Sequence, residues 1–362
     1  MIARPGLGVI TFAPRGGGVA YVGRLLQRAL ADATGAAPWS VELWPGHRGS
    51  VRPHDAIRLM TRLAAGQLRR RADWVMCNHV AIARAQLALP AWLRRPYAVF
   101  VHDVEAWAED LPAPRFEALR RASLRIANSV YTAERVEAAH PRLATVGACP
   151  LGLLEDGQPG GGIDVSLLEA AGPRPVLIVG RIKADERYKG HDALITAWPK
   201  VAAAAPDSRL VIAGWGDDVE RLRASAARAG VGDRVLFCGF VSDATLQALY
   251  ERAAVYAMPS VREGFGLAYL EAMRAGVPCI GSPRSAAREV IVDGETGFLV
   301  DDADALAASL VTLLTDEDRR RAMGIAGRRR YRDCFTYECF KRRLLALLET
   351  CFAQPDHQAM TA

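Results

Sequence analysis

The sequence predicts an α/β protein of two Rossmann-like, doubly wound domains facing each other across a cleft. Three observations predict it. The chain has 362 residues, long for one core and comfortable for two domains. Short apolar runs alternate with amphipathic stretches in both halves, the pattern of parallel sheets covered by helices. A glycine-rich, aperiodic run, EDGQPGGGID from Glu155 to Asp164, separates the halves and reads as a linker.

In the first half GVITF reads as a strand and VAYVGRLLQRALADA as the helix after it. SVELW, DWVMC, YAVFV and LRIAN read as further strands with helices between. In the second half PVLIVG, RLVIAG, RVLFCG, AVYAMP, VPCIGS and GFLVD read as strands. Helices are expected near Ala193–Ala205, Val219–Ala229, Ala244–Arg252 and Leu267–Arg274. The helical run from Asp304 to about Phe352 exceeds what a second sheet needs. The expected domains are therefore 1–163 and 164–335. The last helix, about 336–362, is expected to pack back on the first domain.

The composition is that of an ordinary soluble enzyme, 51% hydrophobic and 24% charged. Seven cysteines are scattered without a C-x-x-C pair. That argues for a reducing compartment and against a disulfide frame or zinc site. The N-terminal apolar run is too short for a signal peptide, and no run approaches a membrane span. The expected location is the cytoplasm, with a peripheral position on the inner face of the cell membrane as the alternative. Residues 1–163 hold 20 arginines, no lysine and 13 acids, whereas the remainder has 26 basic and 27 acidic residues. The halves should therefore meet different partners. Without an aromatic-and-basic motif or a recognition helix, nucleic acid is not an expected partner. In DAIRLMTRLAAGQLRRRADW, Ile57, Met60, Ala64 and Leu68 share one helical face, and Arg58, Arg62 and Arg69 lie elsewhere. Two alternatives stay open: a helix resting on an anionic membrane, or a helix packed on the sheet with an arginine-rich outer face.

Two segments carry candidate chemistry. In VGRIKADERYKGHD a strand ends at Gly180, and a loop carries Arg181, Lys183, Arg187 and Lys189 to a helix opening near His191. Basic side chains beside a helix N-terminus suit a phosphate or diphosphate, although a solvated basic loop would look the same. In REGFGLAYLE, Gly264 and Gly266 let the backbone approach a ligand. Glu263 can meet sugar hydroxyls from the loop. Glu271, about two turns further on, can accept from a ribose diol. Both acids follow a strand, where open α/β sheets bind ligands. His102 and Asp103 sit at the end of YAVFV, an equivalent place.

These segments carry a resemblance. EGFGLAYLEAMRAGVPCIGS resembles the E-x(7)-E segment of the retaining glycosyltransferases of family 4, which have the GT-B fold, with VGR…YKG upstream and DGETGFLV downstream. The resemblance covers the second half nearly end to end. In the first half it rests on GGGVAYVGRLL, VHDVEAW and ANSVYTAERV. It implies that Arg181 and Lys189 hold the donor diphosphate and that Glu263 contacts hydroxyls of the donor sugar. It implies that Gly264, Phe265, Gly266 and Leu267 wrap sugar and phosphate through their backbone, and that Glu271 binds the ribose. The turn Gly239, Phe240, Val241 and Ser242 would hold the base. Gly16, Gly17 and Gly18 would close over the phosphates, with His102 near the reacting sugar.

The expected function is retaining transfer of a hexose from a UDP- or GDP-sugar to a hydroxyl of a glycan or lipid-linked acceptor, in cell-surface polysaccharide or glycolipid synthesis. No metal and no cofactor is expected. Asp302-x-Asp304 could be a metal-binding acid pair, but it precedes an apolar-periodic helix and fits acids at a helix N-terminus. A dehydrogenase would need G-x-G-x-x-G after the first strand, and Gly16–Gly18 are contiguous. A hydrolase would need a G-x-S-x-G elbow, which is absent. The alternatives on the same fold are a nucleotide-sugar epimerase, a phosphorylase, or a non-catalytic nucleotide-sugar-binding protein.

Overall fold

The computed structural model describes residues 2–13, 17–43, 53–155 and 160–353. They form two compact units, Met1–Leu151 with the C-terminal segment from Tyr337, and Gly152–Thr336.

The first unit alternates strand and helix in chain order: β1 (Pro5–Val9), α1 (Gly17–Thr34), β2 (Trp39–Glu42), α2 (Pro53–Leu68), β3 (Trp74–Cys77), α3 (Val80–Ala88), β4 (Tyr97–Val101), α4 (Val104–Trp107), α5 (Ala113–Arg120), β5 (Leu124–Ala127), α6 (Val130–Ala139) and β6 (Gly147–Ala148). The strands pair in parallel in the order β2-β1-β3-β4-β5-β6. β1, β3 and β4 are buried along their whole length, as continuous apolar strands covered on both faces should be.

α2 departs from the sequence expectation. Its packed stripe is Asp55, Leu59, Leu63, Gly66 and Gln67, whereas Ile57 and Leu68 are each 66% exposed. The cause is Trp39, whose ring lies where a Cβ on Gly66 would be, 2.0 Å from Cζ2. Only a glycine lets that helix face approach the sheet.

The second unit contains α7 (Val165–Ala170), β7 (Arg174–Val179), α8 (His191–Ala204), β8 (Ser208–Ala213), α9 (Val219–Arg228), β9 (Val235–Gly239), α10 (Asp243–Arg252), β10 (Val255–Ala257), α11 (Leu267–Ala275), β11 (Cys279–Gly281), α12 (Ala287–Val290), β12 (Gly297–Leu299), α13 (Ala303–Thr315) and α14 (Glu317–Cys334). Its parallel order is β12-β11-β10-β7-β8-β9. The chain thus starts at the centre of the sheet, builds outward to β9, and returns to the other side at β10. That return is a topological switch point, with the crevice outside the carboxyl ends of β7 and β10. Residues 160–164, within the glycine-rich run, are tied to this unit: Ser242 Oγ donates to Gly162 O at 2.7 Å and Asp164 N to Thr245 Oγ1 at 3.0 Å.

The last helix, α15 (Tyr337–Phe352), belongs to the first unit. Phe352 stacks on Trp74 with centroids 4.1 Å apart, and Tyr337 OH donates to Asp32 at 2.7 Å. Tyr337 and Arg28 together hold the Asp32 carboxyl below its ordinary range, with the tyrosine hydrogen bond the larger cause.

Candidate functional site

Two loops meet at the switch point of the second sheet. One follows β7 and ends at Gly190; the other follows β10 and ends at Gly266. Val261 N donates to Tyr188 O at 3.1 Å and binds them together. Gly190 must be glycine twice over: its φ is 95°, and a Cβ there would meet Pro259 Cγ at 2.7 Å. Gly266, φ 90°, opens α11 in the same left-handed conformation, and a Cβ there would strike the Tyr269 ring at 2.5 Å.

The closure brings Arg181, Lys189 and Glu263 together. Lys189 Nζ lies 3.7 Å from Glu263 Oε2. Glu186, which sequence reasoning missed, sits between the cations, 2.5 Å from Arg181 Nη2 and 4.0 Å from Lys189 Nζ. It is buried, and its Oε2 has no hydrogen-bond partner. Two cations and two carboxylates therefore balance here. Arg181 remains 59% exposed at the side chain and can reach an anion. Its spacing from Lys189 signalled cations; nothing in the pattern distinguished Glu186 from a surface acid.

Arg187, expected with the cations, turns away. It donates to both oxygens of Asp218 at 3.1 and 3.2 Å, and Arg221 bridges Asp218 and Asp192. Arg221, more than Arg187, holds the Asp218 carboxyl down at about 2. This pair of arginines braces the loop. His191 begins α8 beside it, buried, and burial lowers its pKa to about 4.

The remaining residues of the second unit have distinct environments. Phe265 is buried with its ring against Phe335, centroids 6.1 Å apart, so only its backbone can face a ligand. Glu271 accepts a hydrogen bond from Tyr250 OH at 2.8 Å. Burial raises its pKa against the opposing effect of that bond. In the turn after β9, Gly239 is left-handed at φ 65°, Phe240 is 56% exposed, Val241 is half-buried, and Ser242 caps α10. Asp302 caps α13 by accepting from Ala305 N at 2.7 Å, and Asp304 pairs with Lys200. Among the described residues no group of His, Cys, Asp and Glu is arranged to hold a metal ion.

In the first unit the switch point lies between β1 and β3. Asn78, just after β3, accepts from Ile10 N at 3.0 Å and donates to Val19 O at 3.2 Å. Gly17 and Gly18 form the start of α1, and no atom lies within 4 Å of a Cβ on either. Gly16 lies outside the described residues. His102 follows β4, buried, with Nε2 2.6 Å from Asn78 O. A carbonyl only accepts, so Nε2 carries a proton. His79 stacks 6.3 Å from it, and burial lowers its pKa to about 4. Asn78 and His79 were not singled out from the sequence, since neither belongs to a spaced motif.

Residues 164–330 match the model of the glycosyl transferases group 1 family. The chain is 36% identical over 187 residues to the GDP-mannose-dependent alpha-(1-6)-phosphatidylinositol monomannoside mannosyltransferase of Mycolicibacterium smegmatis, across 49% of this chain and 48% of that protein. It is 40% identical over 150 residues to the phosphatidyl-myo-inositol mannosyltransferase of the same organism, across 41% and 38%. The matches thus span about half or less of these relatives' length. Among solved structures, Anabaena Alr3699/HepE in complex with UDP-glucose aligns with a TM-score of 0.75 at 19% identity, covering 96% of this chain and 99% of that one. The sucrose-phosphate synthase of Thermosynechococcus elongatus aligns at 0.74 and 20%, covering 96% and 98%. The fold is therefore of the GT-B class, with two Rossmann-like units. Within that class, the second unit is related in sequence to glycosyl transferases group 1.

Proposed function

We propose that the chain is a retaining, metal-independent glycosyltransferase of family 4. It moves a hexose from a nucleoside diphosphate sugar to a hydroxyl of a glycan or lipid-linked acceptor. The observation that carries this is the convergence of Arg181, Lys189 and Glu263 at the switch point of the second sheet, beside the glycine-opened N-terminus of α11. GDP-mannose is the favoured donor, because several of the mannosyltransferase relatives carry it in their names.

Arg181 and Lys189 neutralise the diphosphate, and the amides at the start of α11 add their partial positive charge. Glu263 orients sugar hydroxyls and Glu271 the ribose. The turn Gly239–Ser242 holds the base. In the first unit Gly17 and Gly18 are assigned to the phosphates and His102 to the sugar. The bond from the anomeric carbon to the diphosphate oxygen breaks as the acceptor oxygen bonds to that carbon from the same face. The acceptor's proton passes to a donor phosphate oxygen. The protein contributes positioning and stabilisation of the departing diphosphate.

The exposed face of α2 supports a peripheral contact with an anionic membrane. Ile57 and Leu68 stand in solvent among the exposed Arg58, Arg62 and Arg69, a pattern suited to an interfacial helix. No helix among the described residues is long and apolar enough to cross a membrane.

The test is incubation with GDP-mannose and phosphatidylinositol, with the product's anomeric configuration read by NMR. The expected product is the α-mannoside, formed only with acceptor present. An inverted product, an epimerised donor without acceptor, or a requirement for free phosphate would overturn the assignment.

A further inference from the structure

A cavity of about 420 Å³ opens at the amino edge of the first sheet, lined by Arg94, Arg95, Tyr97, Arg120 and Arg121 among others. Tyr97 begins β4 and His102 follows its end, so this cavity lies at the edge opposite the histidine, one strand length away.

The charges around it do not balance. Arg120 and Arg121 share one carboxylate, Glu117. Arg94 donates only to the carbonyls of Leu87 and Leu89, at 2.6 and 2.8 Å. The Arg95 side chain donates only to Gln67 O, at 3.5 Å. Neither has a carboxylate partner among the described residues, and neither Nη1 is bonded. The Nε atoms of both are buried without a hydrogen-bond partner. The next acid, Asp73, faces Arg95 but is bound to Arg4 at 3.1 Å. Arg125, beneath the same edge, rests only on carbonyls and leaves a third buried Nε unpartnered. Arg70 is the one non-glycine residue among those described with a left-handed φ, at 50°. Its amide shares Gln67 O with Arg95.

Buried donors are normally satisfied, and guanidinium groups cannot shed their charge. Four arginines against one carboxylate, with unbonded Nη1 groups beside an open cavity, have the charge and fork geometry that bind a phosphoryl group. We propose that this cavity is a second anion site that takes a phosphate-bearing ligand, either a phospholipid headgroup or a soluble phosphorylated molecule. It does not rest on the donor-site reading.

The test uses the full chain and inorganic pyrophosphate in calorimetry at low salt. Arg120→Gln/Arg121→Gln, both side chains half-exposed, removes charge without disturbing the buried arginines. Arg321→Gln/Arg329→Gln, exposed on α14, removes equal charge elsewhere. The cavity site is a saturable component kept in Arg181→Ala and in the α14 pair but weakened at least tenfold in the cavity pair. Cosedimentation with phosphatidylglycerol and phosphatidylcholine vesicles assigns the source. Capture by phosphatidylglycerol that is lost in the cavity pair alone marks a lipid headgroup; pyrophosphate binding without such capture marks a soluble ligand. No saturable component surviving in Arg181→Ala, or equal weakening by both pairs, overturns the proposal.

Discussion

Replacing Lys189 with alanine separates a donor site from a merely structural ion cluster. Its Nζ is 3.7 Å from Glu263 and 4.0 Å from Glu186, and the three side chains are only 15%, 21% and 10% exposed. At an effective dielectric near 20 each contact is a gross attraction of about 4 kcal/mol, most of it offset by desolvation. Removing the lysine leaves Glu263 unpaired, while Glu186 keeps Arg181. We expect a stability loss of about 2–3 kcal/mol, below the ~3–5 kcal/mol of a fully buried broken pair because solvent reaches these groups. Adding Glu263→Gln removes that unpaired carboxylate and should recover about half of the loss. Turnover should not follow. Losing one group that stabilises the departing diphosphate should cut kcat about a hundredfold, on the order of 3 kcal/mol, in the single variant and by no less in the double. Urea denaturation followed by fluorescence measures the first quantity, and initial rates with GDP-mannose the second. Recovery of turnover together with stability would refute the diphosphate role and leave Lys189 as a brace.

Arg181→Ala should likewise cost about 2 kcal/mol of stability, since it leaves the buried Glu186 with only Lys189 at 4.0 Å, and lower turnover about a hundredfold; unchanged initial rates would count against it. Glu271→Ala should weaken nucleotide binding with little change in kcat, and Tyr250→Phe should do the same more weakly; equal donor affinity in all three proteins would remove the ribose assignment. His191 gives a pH signature. Its folded pKa of about 4 is below the unfolded value of 6.5, so the unfolded chain takes up the proton first as pH falls. Stability should therefore drop between pH 6.5 and pH 4 by up to about 3 kcal/mol, and His191→Gln should flatten that part of the curve; an unchanged slope would show that another group titrates there.

Most strands were legible because they are short apolar runs closed by glycine, proline or a polar cap; the two-residue β6 was not, and β1 begins at Pro5, ahead of the GVITF run. Strand order was not legible, since long-range pairing leaves no local mark. Arg181, Lys189 and Glu263 stood out because they follow strands, where open α/β sheets bind ligands, within segments that resemble a known motif. Glu186 did not, because its role depends on Arg181 and Lys189 folding around it. α2 misled for a physical reason. Its packed face includes Gln67, held by Arg95 N at 3.0 Å, and Gly66 under Trp39, so apolarity alone selects the wrong stripe. Asn78 and His79 were invisible for a similar reason: they join elements distant in sequence.

The most direct test of the donor site is calorimetric titration of the purified chain with GDP, UDP, ADP and NAD. The structure and its relatives predict saturable binding of GDP, weakened strongly in Arg181→Ala. Binding of NAD with silence from all three diphosphates would mean that the crevice at the second switch point serves a different chemistry.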